Sequence, residues 1–354
     1  VRSATFDGTA DDAGMVTDAS VAIYRNLGKG EIGLVVTGFA FVSAPGQVFL
    51  GQFGANSDAM ILGLRRLVQA VHESGSKIAM QIVHGGINVM KEGVTALAVS
   101  RIPQIDKPHR EIADAEIEAI INDFTAAARR AREAGFDAVQ LHGAHGYLMS
   151  QFLSPLMNHR TDRWGGNIEN RRRFHLEVIR RIRRTVGADF PMLLKFGAKD
   201  ELDGGLTLED GIEAARLMVR EGIEAIEVSA GMSSSGPRAA NPTRKAGETE
   251  WPYFRERAAV VKKAVTVPVI AVGGIRSLAQ AQDIVDSGDA DLISMCRPFI
   301  REPGLLKRWQ ENDSSAARCI SCNRCYQDGI TLDCGLERRR RGGKGGSTDT
   351  PRRG

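Results

Sequence analysis

Residues 139–153 read VQLHGAHGYLMSQFL, and the rest of the chain is best understood outward from them. Ala138 to His142 is short, apolar and preceded by the break Ala134-Gly135, the pattern of a β-strand entered from a helix. Alternation puts Ala138, Gln140 and His142 on one face and Val139 and Leu141 on the other. His142 is then the last residue of the polar face, where the chain leaves the strand. Gly143 and Gly146 turn the chain, and His145 and Tyr147 leave that same turn. Two imidazoles and a phenol so close together can grip a small electronegative group and place a proton beside it. A single histidine at a strand end is more often structural; the three groups together favour a site.

The same strand-then-helix unit recurs in both directions. Strand-like runs fall at 1–4, 33–37, 77–83, 137–142, 191–196, 225–229, 267–273 and 290–296. Helical spacing follows each, at 18–27, 59–74, 115–133, 169–185, 208–221, 253–264, 278–287 and 302–310. Asp114 and Thr207 read as helix starts, and Gly75, Gly135, Gly222 and Gly288 as stops. Eight such units at fairly even spacing predict an α/β fold, a (β/α)8 TIM barrel. Residues 28–33, GKGEIG, match the dinucleotide fingerprint G-x-G-x-x-G. They follow a helix and precede a strand, the reverse of the required order, so they read as a turn. Residues 1–334 are expected to form one barrel with a Cys-rich end at 319–334, and 335–354 a disordered Arg/Gly-rich tail. Val1 falls inside a strand, so the natural start is expected upstream.

The chain has 354 residues, 42% of them apolar, and a net charge of +4. Much of that excess sits in 338–354, so the body gives no case for nucleic acid. No apolar run approaches a membrane span. Five cysteines, four of them between 319 and 334, indicate metal or redox chemistry in a cytoplasmic protein, not a disulfide scaffold. Self-association into a homo-oligomer is left open.

Polar side chains reach the top of the inward face on several strands: Gln81, His142, Lys195 and Ser229. Barrel interiors are normally filled by branched apolar residues, so these four call for a polar ligand. For Lys195, an internal network with Glu227 or Gln140 is the competing explanation. After the seventh and eighth strands come Gly273-Gly274 and Arg297, suited to a phosphate through bare backbone N–H groups and a bidentate clamp. A ligand with a phosphate at one end and a hydrogen-bonding ring at the other spans this set, and flavin mononucleotide (FMN) fits.

The run 139–174, with MQIVHGG (80–86), IEVSAG (226–231), PVIAVGGIRS (268–277) and MCRPFIREP (295–303), resembles the old yellow enzyme family of FMN-dependent barrel oxidoreductases. The resemblance implies NAD(P)H as reductant and an α,β-unsaturated carbonyl compound as substrate, with ping-pong hydride transfer through flavin N5. It implies that Gln81 bonds the pyrimidine edge of FMN and that Lys195 lies near N1 and the C2 carbonyl. Gly273, Gly274, Cys296 and Arg297 would hold the phosphate, while Ser3, Ala4, Thr5 and Gly38 line the ring. His142 and His145 would bind the substrate carbonyl or the nicotinamide amide, and Tyr147 would donate the proton. The chain departs from the family at Ser3-Ala4-Thr5, Phe6 and Cys296, which bears on redox potential and substrate range.

Cys319, Cys322, Cys325 and Cys334 have a spacing used for 4Fe–4S clusters. The segment is similar to the branch holding 2,4-dienoyl-CoA reductase and trimethylamine dehydrogenase. The gap to Cys334 is shorter than in that branch, and no second, nucleotide-binding half is expected. Metal-free thiols and zinc are the other readings. The basic run Arg171, Arg172, Arg173, Arg180, Arg181, Arg183 and Arg184 is expected to be a solvated, paired helix face. A phosphate-binding isomerase or aldolase barrel, and a catalytically silent flavin barrel, are the alternatives of other classes.

Overall fold

In the computed structural model, the described residues are 1–91, 93–229, 232, 242, 252–325 and 332–342. Their elements in chain order are α1 (Asp18–Gly28), β1 (Leu34–Val36), β2 (Ala40–Phe41), α2 (Met60–His72), β3 (Lys77–Val83), β4 (Ala96–Ala98), β5 (His109–Glu111), α3 (Asp114–Ala134), β6 (Ala138–Gly143) and α4 (Leu148–Leu153). They continue with α5 (Ile168–Arg171), α6 (Arg173–Val186), β7 (Met192–Gly197), α7 (Leu208–Arg220), β8 (Ala225–Ser229), α8 (Arg255–Ala264), β9 (Val269–Val272), α9 (Leu278–Asp286), β10 (Leu292–Ser294), α10 (Arg297–Arg301), α11 (Leu305–Gln310) and α12 (Gly335–Gly342).

The main sheet runs β1-β3-β6-β7-β8-β9-β10, all neighbours parallel, with β2 paired to β3. Residues 1–3 close the ring. Arg2 bridges Val35 on one side and Met295 on the other. Its N–H donates to the Leu34 carbonyl at 2.8 Å, and the Ser3 N–H donates to Met295 at 2.9 Å. The expected first strand is thus a short extended segment that satisfies both flanking strands. The predicted (β/α)8 barrel is the observed fold.

Alternation sorts the strand residues into shells. Val35, Met80, Leu141, Leu194 and Val228 face outward into the core shared with Leu67, Phe124, Ile179 and Met218. Val36, Ala79, Ala138, Leu193 and Ile270 form a separate apolar plug inside the ring. Two residues further along the strands the inward shell turns polar, with Gln81 opposite Gln140 and Lys195 opposite Glu227. A TIM barrel is a filled core, so a polar layer above an apolar one marks the end where ligand is met.

Several boundaries differ from the sequence reading. The helix expected over 169–185 divides at Arg172 into α5 and α6. Asp114 lies within the first turn of α3, and its expected cap role falls to the segment before it, where Glu116 accepts from the Ala113 N–H at 2.9 Å. Thr207 does cap α7, accepting from the Asp210 N–H at 3.2 Å. The long segment 84–113 contains β4 and β5, paired in parallel. Residues 28–33 join α1 to β1 as a turn, as their order required. The expectation of disorder over 335–354 is corrected at its start: 335–342 form α12, held by the Arg301–Glu337 ion pair at 2.8 Å. Residues 343–354 and most of 230–251, between the sixth strand and the helix after it, lie outside the described residues. Among the described residues no helix is long and apolar enough to cross a membrane. The basic run is paired: Arg172 with Glu213, Arg180 with Glu221, Arg181 with Glu118 and Arg183 with Glu224.

Candidate active site

The polar end of the barrel opens into a cavity of about 1210 Å³. Its wall includes Ser3, Ala4, Thr5, Gln81, His142, His145, Tyr147, Lys195, Gly273, Gly274, Cys296 and Arg297, every predicted cofactor or catalytic position but one. The exception is Gly38. A side chain there would meet the Thr5 carbonyl oxygen at 2.9 Å and the Asp7 carboxylate at 3.0 Å. Gly38 therefore supports the Thr5–Asp7 segment from behind, and its neighbour Phe39 faces the cavity instead.

The histidine turn is fixed by its surroundings. His145 and Gly146 both have left-handed backbone, with φ of 64° and 75°. Such a conformation is uncommon for a histidine and persists only where neighbours enforce it. Here Gln151 Nε2 and Asn88 Nδ2 both donate to the Gly146 carbonyl, at 2.7 and 2.8 Å. The result is a cluster of three rings: His142 and His145 at 5.0 Å and His142 and Tyr147 at 4.9 Å, between centroids. His145 Nε2 lies 2.8 Å from Ser229 Oγ, whereas the buried His142 Nδ1 meets no hydrogen-bonding partner among the described residues. Burial, then His145 and Lys195, hold His142 well below the usual histidine range, and burial with Lys195 brings His145 to about 3. Both imidazoles are therefore neutral at pH 7, able to donate N–H without carrying charge. Burial pushes the Tyr147 phenol above its ordinary value, so it stays protonated.

Below this cluster lies the buried layer. Lys195 Nζ is 3.2 Å from Glu227 Oε1 and donates to Ser3 Oγ at 2.6 Å. The network expected as the competing explanation for Lys195 is thus present, and Lys195 lines the cavity as well. Burial would raise the Glu227 carboxyl, but Lys195 and hydrogen bonds from Ser3, Ser294 and Gln140 outweigh it and hold the group below its usual range. Gln81 Oε1 is buried without a partner among the described residues.

At the other end, Gly273 and Gly274 have φ of 104° and 82°. A side chain at Gly273 would strike the Tyr253 ring at 2.6 Å, so the bare backbone there is enforced. Arg297 reaches the wall, but its guanidinium already donates to Asn323 Oδ1 at 2.7 Å and to the Tyr253 hydroxyl at 3.2 Å. Cys296 Sγ contacts Thr5 Oγ1 at 2.7 Å. Phe6, Phe39 and Phe49 form an aromatic wall, of which the sequence reading placed Phe6 near the flavin but neither Phe39 nor Phe49. Phe39 directly follows Gly38, so proximity to a predicted position is the signal available for it.

These residues fit FMN on the structure's own terms. The orphaned Gln81 carbonyl asks for an N–H from a ligand ring, and the Gly273-Gly274 backbone with Arg297 asks for an anion. The four cysteines are a different case. Cys319, Cys322, Cys325 and Cys334 border one small pocket of about 20 Å³, yet among the described residues no group of three or more His, Cys, Asp or Glu is arranged to hold a metal ion. All four are free thiols of intermediate exposure.

The sequence profile of the NADH:flavin oxidoreductase / NADH oxidase family matches residues 1–315. The chain belongs to this family. It is 38% identical over 321 residues to an NADH oxidase of Thermoanaerobacter brockii, covering 89% of this chain and 49% of that one. Among solved structures it is similar to 2-naphthoyl-CoA reductase bound to 2-naphthoyl-CoA, with TM-score 0.86, 28% identity, and coverage of 96% of this chain and 54% of that one. It is also similar to the old yellow enzyme homologue from Zymomonas mobilis, with TM-score 0.73, 26% identity, and coverage of 91% and 90%. The chain thus spans about half the length of the NADH oxidase and of the naphthoyl-CoA reductase.

Proposed function

We propose that the chain is an FMN-dependent NAD(P)H oxidoreductase that reduces the C=C bond of small α,β-unsaturated carbonyl compounds. The observation that carries the reading is the convergence of two neutral imidazoles and a protonated phenol over a cavity with an unpartnered amide acceptor beside a lysine. Family membership supports flavin and nicotinamide nucleotide as the reactants. Bound FMN would supply hydride transfer in both half-reactions.

The residues supply the rest. His142 and His145 donate N–H to the substrate oxygen and stabilise the negative charge that grows on it as the double bond accepts hydride. Because neither imidazole is charged beforehand, their stabilisation grows with the charge that develops in the transition state. Tyr147 holds its proton through burial and would deliver it to carbon. Lys195, balanced by Glu227, would offer positive charge to the bound ring. Gly273, Gly274 and Arg297 would hold the phosphate, and Ser3, Ala4, Thr5 and Cys296 the flank of the ring. No electron step is routed through the four thiols at the small pocket they border. A cytoplasmic setting, reducing and supplied with NAD(P)H, goes with this chemistry.

An anaerobic cycle tests the proposal. The FMN-loaded protein should bleach on NADH or NADPH and recover its yellow colour when an enone is added. A flavin that bleaches but is not reoxidised by any enone would limit the chain to oxidase chemistry. A protein that takes up no flavin would end the proposal.

A further inference from the structure

Three buried side chains run in line beneath the cavity, and one charge sets the direction of all three. Glu227 is fully buried. Its Oε1 accepts from Ser294 Oγ at 2.9 Å and lies 3.2 Å from Lys195 Nζ, while its Oε2 accepts from Gln140 Nε2 at 3.0 Å. An ionised carboxylate only accepts, so Gln140 must turn its amide nitrogen toward it. The Gln140 carbonyl then faces Gln81 and accepts from Gln81 Nε2 at 2.7 Å. Gln81 in turn has its nitrogen occupied and its Oε1 left over, buried and without a partner among the described residues, on a residue that lines the cavity. Reversing any one amide would set oxygen against oxygen or nitrogen against nitrogen in a dry interior, which is costly.

We infer that Glu227 and Gln140 are positioning residues that lock Gln81 as a hydrogen-bond acceptor, so that the cavity selects a planar heterocycle presenting an imide N–H at that edge. The inference rests on the flavin reading, since the imide of the FMN pyrimidine ring is the group that would meet Gln81. Direction matters here because a glutamine free to turn could serve a donor or an acceptor alike. Held in one orientation, it discriminates, and the ligand meets a preorganised wall.

Dissociation constants for FMN and for 3-methyl-FMN, which lacks the imide proton, test this on the apoprotein of wild type, Q140L and Q140E, with folding checked by thermal melting. In Q140E a protonated carboxyl can still donate to Glu227 and accept from Gln81, so direction survives; in Q140L nothing sets it. Wild type and Q140E should prefer FMN by at least about tenfold, and Q140L should lose most of that preference while binding FMN several-fold more weakly. Should Q140L fail to fold, Q140M serves in its place. Equal preference in all variants would overturn the relay, as would equal loss in Q140E and Q140L, which would reveal a packing role alone. If wild type binds no FMN at all, the flavin reading itself fails and takes the relay with it.

Discussion

His142 and His145 are the residues on which the chemistry turns, and they separate binding from catalysis. Replacing both with Ala should leave FMN binding within a few-fold of wild type and lower enone reduction by roughly 100- to 1,000-fold, the usual cost of lost oxyanion donors. Stopped-flow reoxidation by an enone reads this, and unchanged rates would remove the role assigned to the pair. His175 makes a separate point about stability. It is fully buried on α6, neither ring nitrogen finds a partner among the described residues, and burial lowers its pKa from 6.5 to about 3. The unfolded chain binds a proton there that the folded chain refuses. Stability from this group is therefore intact above about pH 6.5 and falls by roughly 1.4 kcal/mol per pH unit as pH drops toward 3. In urea unfolding at pH 7 and pH 5, His175→Leu should lose less stability between the two than wild type does; equal losses would refute the assignment. At this scale the sequence spoke clearly wherever a polar residue interrupted an inward apolar pattern, as at Gln81, His142 and Lys195. The resemblance put Gly38 along the ring, and alternation could not correct it, because it cannot tell a glycine lining a cavity from one backing the segment that lines it.

Elements were legible where period and caps agreed. The strands β1, β3, β6, β7, β8, β9 and β10 and Thr207 at the start of α7 fall where expected. The misreadings came from short elements whose stability is tertiary. The helix α4 lies inside the quoted stretch, yet six residues carry too little periodicity to announce it. Close approach between elements gives a test of its own. At Gly211 in α7 a Cβ would sit 2.1 Å from the Ala198 carbonyl oxygen, which follows β7. Gly211→Ala must push helix from strand, and a cost of about 1–3 kcal/mol is expected, read as a lowered melting temperature. A variant melting with wild type would mean that α7 does not rest on the end of β7 in this way.

For the whole molecule, the barrel joins an apolar plug, a buried polar layer and an open mouth along one axis. Residues 1–3 matter out of proportion to their number, because they carry hydrogen bonds to both β1 and Met295 and Ser3 meets Lys195 beneath the mouth. Ring closure and the site are consequently one structural event, and the sequence could suggest it only by counting strands. A ligand that binds the closed ring should stabilise it: at 100 times its dissociation constant FMN should add about 2.7 kcal/mol, visible as a concentration-dependent rise in melting temperature. No rise at saturating FMN would place the cavity outside the folding unit. The central claim is that FMN lies across this mouth with its phosphate at the Gly273-Gly274 and Arg297 end. Titrating the apoprotein with FMN and with riboflavin, which lacks the phosphate, tests it most directly. The account predicts one FMN per chain, bound at least about 100-fold more tightly than riboflavin; equal affinities for the two would contradict it.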